Sequence, residues 1–357
     1  MVGAACADAL ARQGHRVTLV EPAWVGSGAT AAGMGHLVVM DDSPAQLALT
    51  SRSLELWEAL APHLPAQADY RRCGTVWVAS DEQEYRGVLP KQAMYQAAGR
   101  EAVMLDAAEL RRLEPELRPG LSGGLRVPGD GVVYAPVAAQ FLVERSGAQV
   151  VKGEVVDIQP GAVNLRDGRR LHADVTVLAA GIGAVHLLPE LPLRERKGHL
   201  LITERGAPVV HHQLVELGYL KNAHGNDLDS VAFNVQPRPT GQLLIGSSRQ
   251  FGQPSSDIDF GLLRRMLARA TQFMPSLPQC SALRVWTGQR CAAPDHLPIV
   301  GWHPQREGLF LAVGHEGLGI TTALGTAELL EHALGGPDTP LAAFDFGFGR
   351  FAGVQHA

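Results

Sequence analysis

Cysteine is scarce and scattered. Cys6, Cys73, Cys280 and Cys291 are the only four in 357 residues, and no two form a C-x-x-C pair. That spacing speaks against a zinc ribbon, a cysteine-ligated cluster and a disulfide framework, and favours reduced structural thiols. Charge of one sign is also lacking. Lys and Arg number 31 against 36 Asp and Glu, for a net charge of −5. Without a basic stripe, nucleic acid is a poor partner. No apolar run is long enough to span a bilayer: the longest, Val175 to Leu188, is short and contains His186. No His, Cys, Asp and Glu pattern with metal-ligand spacing stands out, so no metal is expected. No fixed-period repeat and no low-complexity segment interrupt the chain. What remains is an ordinary globular composition, 46% hydrophobic and 19% charged, with a length that suggests about two domains.

The first motif is itself incomplete. Gly3 opens a small-residue helix pattern (Ala4, Ala5, Ala7, Ala9, Leu10, Ala11). A turn at Gln13-Gly14-His15 follows, then an apolar strand, Val17 to Val20, ending on Glu21. This is the order of a dinucleotide-binding βαβ unit, in which glycines approach the pyrophosphate and an acid about 20 residues later binds a ribose hydroxyl. With Gly3 as the third glycine, the first two and the strand before them fall upstream of Met1. The expectation is that the functional protein begins upstream, and an accidental match is the alternative. A loop of little side-chain bulk follows, Gly26 to Gly35, against which a flat ligand could lie.

Periodicity then outlines two excursions from this unit. After a helix at Leu47 to Leu60, the first begins with a strand at Tyr70 to Ser80. A charged helix at Glu82 to Gly99 and a strand–helix pair at Ala102 to Leu113 complete it. The chain returns at Gly131 to Tyr134, with a helix at Pro136 to Arg145. Strands are expected at Gln149 to Lys152 and Glu154 to Gln159. After a turn at Asp167-Gly168 comes a buried strand, Asp174 to Leu178, running into Ala179-Ala180-Gly181. The second excursion has strands at Gly198 to Thr203 and Leu214 to Leu220. A hairpin, Val231 to Gln236 with Gln242 to Gly246, follows. Its helix, Phe260 to Phe273, places Arg264, Arg265 and Arg269 on a solvated face. The last segment carries Trp286 to Gly301, a strand at Leu309 to Val313, and the turn Gly314 to Thr321. That turn opens a helix, Ala323 to Leu334. A glycine-rich turn at a helix start seats an electronegative group, because unpaired N–H groups and the helix dipole converge there.

These motifs, in this order, resemble the family of FAD-dependent D-amino acid oxidases, glycine oxidases and related dehydrogenases, over Gly3 to about Gly335. The wording His315 to Thr321 is most similar to the β subunits of D-hydroxyproline dehydrogenases and opine oxidases. The resemblance implies an α/β fold with a Rossmann-like FAD-binding domain (1–66, 125–190 and 284–357, its first strand missing). An interleaved α+β substrate domain (67–124 and 191–283) would carry a mostly antiparallel sheet. It implies non-covalent FAD, held by Gly3, Glu21, Pro22, Thr30, Gly33, Met34, Gly35, Val155, Ala180 and Gly181. The segment His315, Glu316, Gly317, Leu318, Gly319, Ile320 and Thr321 would lie at the pyrimidine edge of the flavin. Arg290 would grip the substrate carboxylate, and His315 stands with it as the second catalytic candidate. His36 and His199 are candidates for tuning. Three departures accompany the match: the missing glycines, Cys291 where a proline is usual, and a family tyrosine replaced around Phe233-Asn234. Gly288 occupies the place of the cysteine that links flavin covalently in monomeric sarcosine oxidases.

The activity implied is oxidation of a D-amino or imino acid, D-hydroxyproline-like, by hydride transfer to flavin. A glycine- or sarcosine-type oxidase using oxygen is the alternative, and partner subunits carrying flavin and iron–sulfur centres are implied. The location read from these features is cytoplasmic, extended to peripheral association with the inner membrane through electron transfer. Two competing readings stay open on the sequence. A nicotinamide-dependent dehydrogenase explains the N-terminal unit but not the closing turn. A non-catalytic paralogue that has lost flavin draws only on the missing glycines.

Overall fold

The helix Val2–Arg12 shows how small residues set this architecture. Ala4, Ala5 and Ala9 are buried, so two further helices, Ala135–Ser146 and Ala323–Ala333, pack closely against it. Asp8, buried on the same helix, pairs with Arg145 through two hydrogen bonds and fixes its rotation. The structure is a computed structural model and describes residues 1–218, 229–253 and 255–352.

Around these helices lie two parallel pieces of sheet. Thr18–Glu21 pairs in parallel with Gln149–Lys152, and Thr176–Leu178 pairs in parallel with Leu309–Val313. Ile299–Trp302 joins the second piece antiparallel. Among the described residues the two pieces are not hydrogen-bonded to each other. This split explains one difference from expectation. The strand expected to be buried, Asp174 to Leu178, is shortened to Thr176–Leu178 and only Leu178 is fully buried, because it lies at an edge.

The other half is one eight-stranded sheet. Its order is Ala282–Ala292, Arg194–Thr203, Leu243–Phe251, Ser230–Pro237, Gln213–Glu216, Thr75–Ala79, Gly123–Val127 and Val103–Asp106. Every neighbouring pair is antiparallel except Gln213–Glu216 with Thr75–Ala79. The mixed α/β architecture and the mostly antiparallel second sheet agree with the expected fold. Two strands, Gly123–Val127 and Ala282–Ala292, run across the expected boundaries at 125 and 284.

Local chemistry sets the helix ends. Ser43 accepts from Gln46 N to start Pro44–Leu60, and Asp259 accepts from Leu262 N to start Phe260–Phe273. The expected helix Glu82 to Gly99 is broken at Gly87 into Glu82–Arg86 and Val88–Ala97. Asp167-Gly168 turns between two short strands, Ala162–Leu165 and Arg170–His172, that periodicity missed. The hairpin turn at Pro239-Thr240-Gly241 forms as expected, with Gly241 at φ +77°. Of the expected strand Leu214 to Leu220, the structure has Gln213–Glu216, and residues 219 and 220 lie outside the described ones.

Arg269 corrects one expectation. It is not part of a solvated face: its guanidinium pairs with Glu216, whose side chain is fully buried. The physical reason lies in the sheet. Glu216 accepts from Phe233 N inside the layer, and a buried carboxylate needs a countercharge. Phe273, on the same helix, stacks on Phe233 with ring centroids 4.4 Å apart.

Candidate active site

A cleft of about 270 Å³ lies between the small-residue half and one face of the eight-stranded sheet. Its first wall comes from the loop after Thr18–Glu21 and the closing turn. Thr30, Gly33, Met34, Gly35 and Gly181 line it, as do His315, Glu316, Gly317, Leu318, Gly319 and Ile320. The second wall is the sheet, contributed strand by strand. Gly288 and Arg290 come first, then Gly198 and His199, then Ser247 and Arg249, then Asn234, and finally Thr75 and Trp77.

The first wall has little room for side chains. A Cβ on Gly33 would lie 3.0 Å from Ile320 Cδ1, one on Gly319 3.3 Å from His315 Cβ, and one on Gly288 2.7 Å from Ala32 Cβ. Trp286 Nε1 donates to Ala32 O at 3.2 Å and docks the loop on the sheet. In the turn, Leu318 N bonds His315 O and Glu316 N bonds Cys291 O. The amides of Gly317, Gly319 and Ile320 have no acceptor among the described residues. His315 Nε2 lies 2.9 Å from Thr326 Oγ1, which ties the turn to the helix it opens. Burial pushes the His315 ring down to about 3, so it is neutral at ordinary pH. Thr321 does not line the cleft. Its hydroxyl donates to His36 O at 2.9 Å and braces the loop from behind.

Several expected cofactor residues sit away from this cleft. Gly3 packs beside Ala179, and Met1 and Val2 take the place on the cleft wall. Glu21 accepts from Ala23 N and from Ser27 Oγ at the end of its strand. Pro22 is exposed, Val155 is half-buried at the start of Val155–Gln159, and Ala179 rather than Ala180 lines the cleft.

The sheet wall is where charge gathers. Arg290 reaches across the neighbouring strand to donate to Ser248 O at 2.8 Å. It can do so because residue 198 is glycine: a Cβ there would lie 2.0 Å from Arg290 Nη2. Gly317 faces the guanidinium from the turn, with its would-be Cβ 3.5 Å from Arg290 Nη1. Beside it Glu316, at φ +49°, pairs with Arg196, lies 3.7 Å from Arg249 and meets His296 Nδ1 at 3.1 Å. Burial pushes the Glu316 carboxyl up. The hydrogen bond from His296 and the charges of Arg249 and Arg196 outweigh it and hold the group well below the usual carboxylate range. His199 bonds Ser248 Oγ through Nδ1 and accepts from Asp259 N at Nε2, and burial first, then Lys197, lowers its pKa. Cys291 is the one cysteine on the cleft, and burial raises its thiol to about 12.

Sequence reasoning missed Arg249, His296 and Gly198. Period-two alternation, which puts Arg249 on the face of Ser247, was the signal available for the first. The departure noted at Phe233-Asn234 resolves into two roles. Phe233 is buried against Phe273, and Asn234 faces the cleft.

A side-chain-poor wall with free amides, opposed by a wall of fixed cations, defines a site for a flat cofactor and an anionic small molecule. The residues at the glycine-rich end fit a flavin, since any added Cβ would fill the cradle. Comparison with known proteins carries this further. Residues 1–333 match the DAO family, described as FAD dependent oxidoreductase, and the chain belongs to that family. FAD is accordingly its cofactor, in place of the nicotinamide alternative. The chain is 29% identical to a glycine oxidase of Geobacillus kaustophilus over 93% of its own length and 90% of that protein's. It is 26% identical to hydrogen cyanide synthase subunit HcnC of Pseudomonas aeruginosa over 85% of this chain and 74% of that one. The crystal structure of Geobacillus kaustophilus glycine oxidase superposes with a TM-score of 0.85, at 27% identity, covering 98% of this chain and 96% of that one. L-proline dehydrogenase from P. horikoshii gives 0.85 at 19% identity over 98% and 95%, a likeness of fold alone. No helix among the described residues is long and apolar enough to cross a membrane.

Proposed function

We propose that this protein oxidises the CH–N bond of a small amino or imino acid, with a cyclic or N-substituted D-configured acid as the preferred class. The observation that carries the reading is Arg290. Its guanidinium crosses Gly198, is braced by Ser248 O, and lies beside the closing turn. A planar fork fixed in this way binds a carboxylate with two parallel hydrogen bonds.

Bound FAD supplies the hydride acceptor. Gly33, Met34, Gly35 and the segment His315 to Ile320 would hold its flavin end. The free amides of Gly317, Gly319 and Ile320 offer donors where charge develops on reduction. Arg290 fixes the carboxylate, and the sheet wall then orients the substrate carbon. Burial keeps His36, at about 4, and His315, at about 3, uncharged at neutral pH, and no side-chain base is required when the substrate binds as its free amine. Glu316 takes up the charge of Arg196 and part of that of Arg249.

The flavin is held without a covalent bond. Gly288 has no thiol, and Cys291 is kept protonated by burial. Acid precipitation should therefore release yellow colour into the supernatant, and colour in the pellet would contradict this. The electron acceptor suggested by the resemblance is a partner subunit carrying flavin or iron–sulfur centres. A second reading, a glycine- or sarcosine-type oxidase using oxygen, draws on the similarity to glycine oxidase. The test is anaerobic reduction of the bound flavin by D-amino acids, D-hydroxyproline, sarcosine and glycine, followed by reoxidation in air. Bleaching by a carboxylate-bearing amine is expected. A substrate without a carboxylate that bleaches equally fast would overturn the role of Arg290, and rapid reoxidation by air would favour the oxidase.

A further inference from the structure

A second cavity, of about 210 Å³, shares no lining residue with the cleft. It lies behind the cleft wall: Val39 faces it, while Val38 and Met40 on either side face the cleft. Its buried end is Asp130, on the turn that follows Gly123–Val127. One carboxylate oxygen, Oδ1, accepts from Val39 N at 3.1 Å. The other, Oδ2, is buried with no partner in hydrogen-bond geometry. Val39, Leu54 and Val127, all buried, line the same cavity with hydrocarbon. The rim is charged. Arg100 donates to Ser51 O and lies 3.4 Å from Glu55 and 3.7 Å from Glu58. Arg72 lies 3.8 Å from the same Glu58 oxygen. Glu101 completes the rim; it is exposed and has no ion pair among the described residues.

We propose that this cavity binds a small organic ammonium ion, its N–H groups on Asp130 Oδ2 and its alkyl part against Val39, Leu54 and Val127. The charges decide the sign of the ligand. Arg72 and Arg100 are balanced by Glu58 and Glu55, which leaves Asp130 and Glu101 without an ion-pair partner among the described residues. An anion would have to displace Glu58 and would then face the Asp130 carboxylate. A cation supplies the countercharge that a buried carboxylate needs. Hydrogen bonding decides the head group. An ionised carboxylate only accepts and an ammonium only donates, so the two match, whereas a quaternary ammonium would leave Oδ2 unmatched. One buried water would satisfy Oδ2 as well, but the cavity is far larger than a water needs and is partly apolar. Burial pushes the Asp130 carboxyl up to about 7, and the Thr75 hydroxyl, Val39 N, Arg100 and Lys91 offset that only in part. A cation beside Oδ2 favours the ionised form, so binding strengthens as pH rises through 7.

Isothermal titration calorimetry of the FAD-loaded protein with propylammonium chloride at pH 8 tests this. One saturable site is expected. Propan-1-ol, which lacks the charge, and tetramethylammonium, which lacks N–H groups, should each bind at least about tenfold more weakly. Asp130→Asn should weaken propylammonium binding by a similar factor. Gly129→Leu blocks the cavity independently. A Cβ there meets only Arg72 Nη2, at 3.9 Å, so the turn tolerates the side chain, and affinity should fall as far. Arg290→Ala, in the cleft, should leave the affinity within about twofold of wild type. Lowering the pH to 6 should weaken binding to the wild type about tenfold, because the carboxyl is then mostly protonated. Absence of saturable binding to the wild type would overturn the proposal. So would binding that survives both Asp130→Asn and Gly129→Leu, or binding that is lost in Arg290→Ala. Equal affinity for propan-1-ol or tetramethylammonium would overturn the ammonium head group assigned to Asp130.

Discussion

The two walls of the cleft recognise by opposite means. The wall built from Gly33 to Gly35 and Gly314 to Ile320 offers backbone: glycines that leave space, and amides at Gly317, Gly319 and Ile320 without an acceptor among the described residues. The sheet wall offers side chains: Arg290, Arg249, His199 and Asn234, each delivered by a different strand or register position. A backbone wall suits a ligand that never changes, because main-chain geometry depends little on which residue stands there. A side-chain wall can be rewritten one residue at a time without disturbing the other. A shared cofactor beside a variable substrate calls for this division.

If the division is real, the largest effect of a single substitution on turnover should come from the sheet wall. Arg290→Ala is expected to lower kcat/KM by the equivalent of about 2–5 kcal/mol, the usual cost of removing one partner of a desolvated charge pair. Arg290→Lys should recover only part, since a point charge replaces a planar fork. Flavin content should stay at the wild-type level in both. Loss of flavin with unchanged turnover per bound flavin would assign Arg290 to the fold, and the contrast between the walls would fail.

A second test asks what the neutral histidines contribute. His315 titrates at about 3 and His36 at about 4 in the folded chain, against 6.5 when unfolded, with burial the main cause for both. Between pH 6.5 and 4 the unfolded chain therefore binds protons that the folded chain refuses. Stability is retained above pH 6.5 and falls as pH drops, by about 1.4 kcal/mol per pH unit for each ring. Asp130 works the other way. Burial raises its carboxyl to about 7, so its contribution is present at low pH and lost as pH rises through 7. His315→Asn should flatten the acid limb, and Asp130→Asn should steepen it. Urea titrations at pH 6.5, 5.5 and 4.5 would show this, and parallel limbs in all three proteins would rule it out.

How much of this could be read from the sequence divides along the same line as the walls. The backbone wall was legible, because glycine-rich wording such as Gly314 to Thr321 is local: the residues that act together are adjacent in the chain. The helices with clear caps and period, such as Phe260–Phe273, were legible for the same reason. The sheet wall was not. Arg249 and Arg290 share the cleft only because Leu243–Phe251 and Ala282–Ala292 flank the same strand, Arg194–Thr203, and no local pattern states that pairing. Arg269 was misread because its partner, Glu216, lies 53 positions away in the chain. Glu21 was legible as a strand end, but its hydrogen bonds to Ala23 and Ser27 form only once the following turn is built.

Gly198 sharpens the comparison further, because it is a glycine on the side-chain wall. It is there to let a side chain pass rather than to seat a cofactor. In Gly198→Ala the new methyl would occupy the path of Arg290 Nη2, only 2.0 Å away. The guanidinium can swing aside while Ser248 O, 3.0 Å from the new Cβ, gives slightly, so the loss should appear mainly as a ten- to hundredfold drop in kcat/KM, about 1.4–2.8 kcal/mol. Flavin content should hold. A drop in flavin content as large as that in turnover would show that Gly198 belongs with the cofactor glycines after all.

Gly33 gives the smallest effect and the finest distinction. Its added Cβ would lie 3.0 Å from Ile320 Cδ1, the far end of a flexible side chain, and 3.2 Å from Ala29 O. Ile320 lines the same cleft and can turn away, so Gly33→Ala trades a small clash for a slightly narrower cradle. The expected result is a rise in the FAD dissociation constant of about three- to tenfold, on the order of 1 kcal/mol. Once flavin is saturating, kcat/KM should match the wild type. Gly33→Ala with Ile320→Val, which shortens the opposing side chain, should regain most of the affinity. Equilibrium dialysis against FAD measures both. If the single variant binds FAD normally but turns over more slowly, Gly33 contacts substrate rather than cofactor, and the backbone wall is not reserved for the flavin.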